Sequence, residues 1–116
     1  MKLNLIFIFL ASFSIISCRK DRVSDFNSIP DCTDTISFAT TILPLITDNC
    51  TTCHFSGNTT GYTLTNHSNI SSNATKIINS MRGEAGVLQM PDDLPPLSDS
   101  LINLFECWSF QGKLNN

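Results

Sequence analysis

The chain has few charged side chains and no excess of basic ones. Its 116 residues include 7 Lys and Arg and 10 Asp and Glu, which gives a formal net charge of −3. Because nucleic acids and anionic membrane surfaces are bound by clusters of basic residues, this composition argues against both as partners. No internal run approaches the roughly 18 apolar residues of a membrane-spanning helix.

The sequence also lacks the patterns of a sheet or of a repeat protein. No alternation of apolar and polar residues is long enough to predict a strand, and no segment recurs along the chain. The length allows a single domain. The sequence therefore predicts one small all-α domain.

Apolar residues are concentrated at the N-terminus, where twelve of the first 17 positions are apolar. Lys2 precedes an apolar run over residues 3–13, and the segment closes with Ile-Ile-Ser-Cys at residues 15–18. This layout is typical of an export signal, and its last four residues resemble the lipobox of bacterial lipoproteins. The resemblance implies a signal peptide over residues 1–17, cleavage before Cys18 and a lipid on Cys18.

A lipid anchor implies an exported protein on the periplasmic side of a membrane or on the cell surface, with the outer membrane favoured. The alternative is an ordinary secretory signal followed by an incidental Cys18. The apolar run stops at Cys18 and charged residues follow directly at 19–22, which favours the lipoprotein. The polar segment 18–35 predicts a lipidated tether, and residues 36–116 form the predicted domain.

The predicted mature chain is poor in apolar residues. Apart from its five cysteines, fewer than a third of residues 18–116 are apolar, whereas ordinary chains contain roughly 45–50% including glycine. Either this segment is partly disordered or a group other than protein fills its centre.

Local signals divide the domain into about three helices and long loops. Ser37 is a typical N-cap for a first helix that runs to Asn49, and Pro44 is expected to kink or restart it. Residues 56–75 are dominated by Ser, Thr and Asn, which predicts a loop.

The second half of the domain has two more predicted helices. A short one covers about 74–82, and the prolines within 87–97 predict an extended, ordered loop after it. Ser98 caps the last helix and Gly112 ends it. Trp108 lies on the apolar face of that helix and is expected in the core.

Residues 50–54 read Cys-Thr-Thr-Cys-His. C-x-x-C-H is the attachment signature of c-type haem, in which two thiols add across the porphyrin vinyl groups and the histidine binds the iron. Cysteines three residues apart on a tight turn face one porphyrin edge, and the next residue places its imidazole under the ring. Roughly 0.004 accidental matches are expected in a chain of this composition.

Three other chemistries use the same residue types. A zinc site needs two more ligands, and the remaining candidates Cys32, Cys107 and His67 show no paired spacing. A thioredoxin-like dithiol needs a preceding strand, which the pattern does not predict. A disulfide within the motif leaves His54 without a role. The residues therefore favour haem.

The segment from Phe38 to Asn116 resembles a small class I cytochrome c domain, and more narrowly the monohaem domains of Bacteroidetes lipoproteins. The matching segments are Leu43-Pro44-Leu45, Cys50 to His54, Met90-Pro91 and Trp108 to Asn116.

The resemblance implies an all-α fold wrapped around one haem c, bound covalently through Cys50 and Cys53. It implies His54 as one axial iron ligand and a methionine as the other. The implied function is electron transfer by cycling between Fe3+ and Fe2+, with redox proteins as partners and no enzymatic activity.

Met90 is our choice for the second axial ligand. It lies 36 residues after His54, far enough for the chain to reach the other haem face, and Pro91 favours an extended backbone. Met81 competes, but its helical phase predicts core packing, and His67 is expected to face solvent. If the sixth position is instead open, the alternative function is a haem-binding sensor or a small peroxidase-like protein.

Two cysteines remain when Cys18 takes lipid and the motif takes haem. In class I cytochromes c the first and last helices pack together, so the resemblance implies a disulfide between Cys32 and Cys107 in an oxidising compartment. The alternative is a mobile Cys32 and a buried free thiol at Cys107, a residue that departs from the family pattern.

Two further expectations concern residues close to the haem. The ring nitrogen of His54 that does not bind iron is expected to bond a backbone carbonyl near Pro44. Arg82 is expected either to neutralise a haem propionate or to be solvated.

Overall fold

The computed structural model describes residues 32–116. Within this range the chain is all-α, with helices and no strands. The predicted signal peptide over residues 1–17, the predicted lipid site at Cys18 and the tether up to residue 31 lie outside the described residues. No helix in residues 32–116 is long and apolar enough to cross a membrane.

The first helical segment consists of a π-helical turn over Phe38–Ile42 and helix α1 over Leu43–Asn49. Ser37 caps its start, because the Ser37 side chain accepts a hydrogen bond from the Thr40 N–H. Pro44 occupies the first turn of α1, where its missing N–H does least harm, and the widened turn lies just before it. The helix therefore changes from π to α geometry at this place, and the backbone angles of Ile42 and Leu43 remain helical.

The region predicted as a loop over 56–75 contains a helix that sequence reasoning missed, α2 over His67–Ser72. Its N-cap Asn66 accepts a hydrogen bond from the Asn69 N–H at 3.0 Å, and Ile70 is fully buried. The prediction failed because one cap and one apolar anchor hold a short helix despite its polar composition.

Helix α3 over Ala74–Arg82 and helix α4 over Asp99–Phe110 agree with the predicted helices. Gly83 ends α3 in the left-handed conformation, at φ 66°, which favours glycine. The Ser98 side chain caps α4 by accepting from the Leu101 N–H. The proline-containing segment between α3 and α4 holds no helix, as predicted.

The core is a connected cluster of twelve buried apolar side chains, contributed by every helix. Trp108 of α4 is fully buried, and its ring centroid lies 5.7 Å from that of Phe38 and 5.3 Å from that of Phe105. Its Nε1–H donates to the Leu114 carbonyl at 2.8 Å. The predicted core position of Trp108 is confirmed, and the structure places its ring against Phe38 of the first helical segment.

Residues 32–36 lie against α4, although residues up to 35 were predicted as tether. The structure joins Cys32 to Cys107 by a disulfide with a Cα–Cα distance of 5.3 Å. Gln111 reinforces this link, because its Oε1 accepts from the Ile36 N–H at 2.9 Å and its Nε2 donates to the Asp34 carbonyl at 2.7 Å. The segment that enters the domain is therefore attached to the last helix.

Arg82 does not stand free in solvent. Its Nε and one terminal nitrogen donate to the two carboxylate oxygens of Glu106, each at 2.8 Å. Its other terminal nitrogen donates to Asp99 at 3.0 Å. The expectation of a solvated Arg82 is wrong, because Asp99 and Glu106, two turns apart on α4, bind its guanidinium and hold α3 against α4. The alternative, a haem propionate beside Arg82, stays a prediction.

We expect removal of the disulfide to lower the free energy of unfolding by about 4 kcal/mol, since it closes a loop across 75 residues. Urea unfolding of the wild-type chain and of Cys32→Ala, each with and without reductant, measures this. Reductant should destabilise the wild type to the level of Cys32→Ala and leave the variant unchanged. A wild-type unfolding midpoint that does not respond to reductant would contradict the disulfide.

Candidate functional site

The three motif residues lie on one turn at the C-terminal end of α1. The Cys50 N–H donates to the Ile46 carbonyl at 2.8 Å and continues the helix. The Cys50 carbonyl then accepts from the N–H groups of Cys53 at 3.2 Å and of His54 at 2.9 Å. A single carbonyl therefore fixes the spacing of both thiols and the imidazole.

The two motif thiols have different surroundings. Cys50 is half-buried and packs against the core, whereas Cys53 is exposed, and both are free thiols rather than a disulfide. Burial, together with the charge of Cys53, raises the pKa of the Cys50 thiol to about 11. Because neither thiol is in a disulfide, both sulfur atoms are available for bonds to another group.

The imidazole of His54 is held through Nδ1. That atom lies 3.1 Å from the Tyr62 carbonyl oxygen and 3.0 Å from Thr60 Oγ1. Because a carbonyl oxygen only accepts, we assign the proton to Nδ1, which leaves a lone pair on Nε2. An imidazole with one nitrogen bonded to a carbonyl and the other free has the arrangement of a metal-binding histidine.

The acceptor for His54 differs from the one expected. The carbonyl belongs to Tyr62, eight residues after the histidine, and not to a residue near Pro44. The loop over residues 55–62 folds back over the imidazole, so it supplies the carbonyl that the preceding helix was expected to supply.

Asn58 closes this loop and was missed by sequence reasoning. Its Nδ2 donates to the carbonyls of Phe55 and, at 2.9 Å, of Tyr62. Its Oδ1 accepts from the Thr60 N–H at 2.7 Å. Asn followed two residues later by Thr, between two glycines, is a signal for such an Asx turn and is visible in residues 57–61.

Tyr62 is attached to α3 and keeps the loop in place. Lys76 Nζ donates to the Tyr62 hydroxyl at 3.3 Å and lies 5.1 Å from the centre of its ring. Two residues on, the buried Leu64 donates its N–H to the His54 carbonyl at 2.9 Å. The Lys76 side chain therefore holds Tyr62, and the Leu64 N–H holds the backbone at His54.

Met90 lies in the loop between α3 and α4 and is half-buried. Its N–H donates to the Ser80 carbonyl at 2.9 Å, which fixes this part of the loop to α3. The Met90–Pro91 peptide is cis. Among residues 32–116 no hydrogen bond joins this loop to the motif turn, so the pairing of Met90 with His54 is a proposal rather than an observed contact.

The other two candidates for an iron ligand have structural roles. Met81 is 2% exposed and belongs to the core, as its helical phase predicted. His67 was expected to face solvent, and that is wrong. Its Nε2 donates to the Lys113 carbonyl at 2.8 Å, and its ring packs edge-on against Phe38 at 4.8 Å and Trp108 at 5.9 Å.

Exposed apolar side chains flank both the motif and Met90. Seven large apolar side chains are exposed in the described part of the chain, and five of them lie in these two loops: Phe55, Tyr62, Val87, Leu88 and Leu94. Apolar surface concentrated beside a set of ligand atoms is typical of a site that an apolar group covers.

Comparison with known proteins finds no matching family model, no matching curated protein and no matching solved structure. Within residues 32–116 no three His, Cys, Asp or Glu side chains are grouped so as to hold a metal ion. A haem iron takes four ligands from the porphyrin and needs at most two from the protein. Two free thiols, the lone pair on His54 Nε2 and nearby apolar side chains fit such a group.

We expect the two motif thiols of the haem-free chain to react at different rates. At pH 8 a thiol with a pKa of about 11 is only ~0.1% thiolate, the form that iodoacetamide attacks. Peptide mapping after brief alkylation should find Cys53 modified well before Cys50, and the rate at Cys50 should rise about tenfold per pH unit between pH 8 and 10. Denaturant should equalise the two rates. Equal rates in native buffer would contradict the packing of Cys50 against the core.

Proposed function

We propose that the chain is a membrane-anchored monohaem cytochrome c that transfers electrons. One observation carries the proposal: both thiols of C-x-x-C-H are free, and the Tyr62 carbonyl holds His54 through Nδ1 so that Nε2 is free. Among the chemistries that use this residue set, covalent haem is the one that uses all three side chains.

In this proposal Cys50 and Cys53 hold one haem c through thioether bonds, and His54 Nε2 binds its iron. When bound, the haem supplies one-electron chemistry between Fe3+ and Fe2+. The protein orients the imidazole through Tyr62, excludes water with its apolar loops and places the thiols on one turn.

Met90 is the proposed second axial ligand because the alternatives are already engaged. Met81 packs in the core, and the Nε2 atom of His67 donates to a backbone carbonyl. Met90 is instead a half-buried residue of a largely exposed loop, which also carries the exposed side chains of Leu88 and Leu94. Histidine and methionine together leave no open position on the iron, which suits electron transfer and disfavours the chemistry of a sensor or peroxidase.

The partners in this proposal are redox proteins at the same membrane, to which the lipid on Cys18 attaches the domain. Asp92 and Asp93 are exposed and lie directly after Met90 and Pro91. A negative charge at this loop favours a partner with a basic docking surface.

We expect the haem-loaded chain to show six-coordinate, low-spin iron in both oxidation states, with a methionine–iron charge-transfer band in the ferric form. Met90→Ala should abolish this band, because the sixth ligand is removed. Met81→Leu, which changes the other internal methionine while preserving core volume, should keep it. Optical spectra of the three proteins measure the difference.

The same spectra decide between the two functional classes. A wild-type iron that is high-spin at rest and readily binds CO after reduction would reject electron transfer through His54 and Met90. It would support the haem sensor or peroxidase-like protein with an open sixth position.

A further inference from the structure

A second oxygen atom faces the ring nitrogen of His54 that does not point to the proposed iron. Thr60 Oγ1 lies 3.0 Å from Nδ1, about as close as the Tyr62 carbonyl oxygen at 3.1 Å. A hydroxyl can donate or accept, so its role depends on where its single proton goes.

The neighbours of Thr60 decide the direction of this hydrogen bond. Thr60 Oγ1 lies 3.2 Å from the Tyr62 carbonyl oxygen, but that oxygen already accepts from His54 Nδ1–H at 3.1 Å and from Asn58 Nδ2 at 2.9 Å, which occupies its two lone pairs. The Asn58 Oδ1 atom is bonded to Thr60 Oγ1 and is the acceptor that remains for the hydroxyl proton. Thr60 Oγ1 therefore keeps its lone pairs for donors, one of which is the Tyr62 N–H at 3.4 Å.

We propose that Thr60 is a positioning residue for His54. Its hydroxyl, oriented by Asn58, accepts from His54 Nδ1–H together with the Tyr62 carbonyl, and it thereby fixes the plane of the imidazole and the electron density at Nε2. The hydrogen bond itself is a property of the polypeptide; its effect on an iron rests on the proposed function.

The loop is built so that this hydroxyl reaches the ring. Gly57 and Gly61 bracket the turn with φ values of 86° and 81°, a conformation that residues with a side chain rarely adopt. A Cβ at either glycine meets no atom within 4 Å, so the backbone conformation, and not space, favours glycine there. Asn58 and Thr60 are held between these two turns.

Acceptors on Nδ1 change how strongly the imidazole donates at Nε2. They draw the Nδ1 proton outward and make Nε2 a stronger electron donor, which stabilises Fe3+ more than Fe2+. Loss of the Thr60 acceptor should therefore raise the reduction potential. Because only part of the strength of a neutral hydrogen bond differs between oxidation states, we expect about a threefold shift toward the reduced form, equivalent to about 30 mV for one electron.

Three substitutions separate this role from a general effect on the loop. Thr60→Val removes the hydroxyl at nearly constant volume, and Thr60→Ser keeps it. Thr59→Val makes the same chemical change at the adjacent threonine, which is exposed and whose side chain makes no hydrogen bond within the described part of the chain.

The first measurement is the reduction potential of the full, haem-loaded chain. Thr60→Val should raise it, and Thr60→Ser and Thr59→Val should match the wild type. Equal potentials in all four proteins, or an equal rise in Thr59→Val, would overturn the proposal.

The second measurement needs no haem and therefore separates the proposal from the proposed function. In the full haem-free chain with labelled histidine nitrogens, at alkaline pH, long-range proton–nitrogen NMR should show His54 protonated on Nδ1. His67→Gln identifies the second histidine signal. The Nδ1 proton resonance should move upfield in Thr60→Val and stay in place in the two control variants. Three results would overturn the proposal: a proton on Nε2, an unchanged Nδ1–H resonance in Thr60→Val, or an averaged signal typical of an unfolded chain. Each would do so even if the haem-loaded chain carries covalent haem.

Discussion

The packing of Trp108 against the first helical segment determines where everything else lies. This fully buried indole contacts Phe38 near the start of the domain and Phe105 on its own helix. Trp108 is the largest of the fully buried side chains. Its burial therefore contributes more to the free energy of folding than the burial of any smaller side chain in this core. Because Phe38 begins the segment that ends at Cys50, the same contact determines the direction in which α1 presents the motif.

A disulfide and several hydrogen bonds join the two ends of the described chain. The disulfide between Cys32 and Cys107 and the two hydrogen bonds of Gln111 attach the entering segment to α4. At the other end, Asn116 accepts from the N–H groups of Phe38 and Ala39, each at 2.9 Å. The helix that ends at the motif is therefore held at its start by residues far away in sequence.

The low apolar content of residues 18–116, the predicted mature chain, can be related to particular places in the described part of the structure. Side chains from every helix form the core of the described residues. In the loops, by contrast, the apolar side chains of Phe55, Leu88 and Leu94 are exposed and are not covered by side chains of residues 32–116. In the proposed cytochrome the haem covers these loops and leaves the helical core intact.

Features that depend on nearby residues were predictable, and features that depend on folding at long range were not. The caps at Ser37 and Ser98 each follow from one residue and its neighbours. The turn that carries Cys50, Cys53 and His54 is also local, because its hydrogen bonds join residues within the motif.

The failures have a common cause. The partners of Arg82 lie on α4, 17 and 24 residues away in sequence, and the acceptor for His67 lies 46 residues away. No local pattern reports which backbone carbonyl or carboxylate the fold will place beside such a side chain. The Tyr62 carbonyl is only eight residues from His54, but it reaches the ring through a loop whose turn was not recognised.

Covalent haem attachment is the central claim, and the mass of the denatured chain tests it most directly. The full chain is produced in cells that carry a haem attachment system, alongside Cys50→Ala/Cys53→Ala and a known c-type cytochrome as a control for loading. After denaturation and solvent extraction, the wild-type chain should retain the mass and colour of one haem, and the double variant should retain none. A colourless wild-type chain of unmodified mass, from cells in which the control cytochrome is fully loaded, would contradict the account.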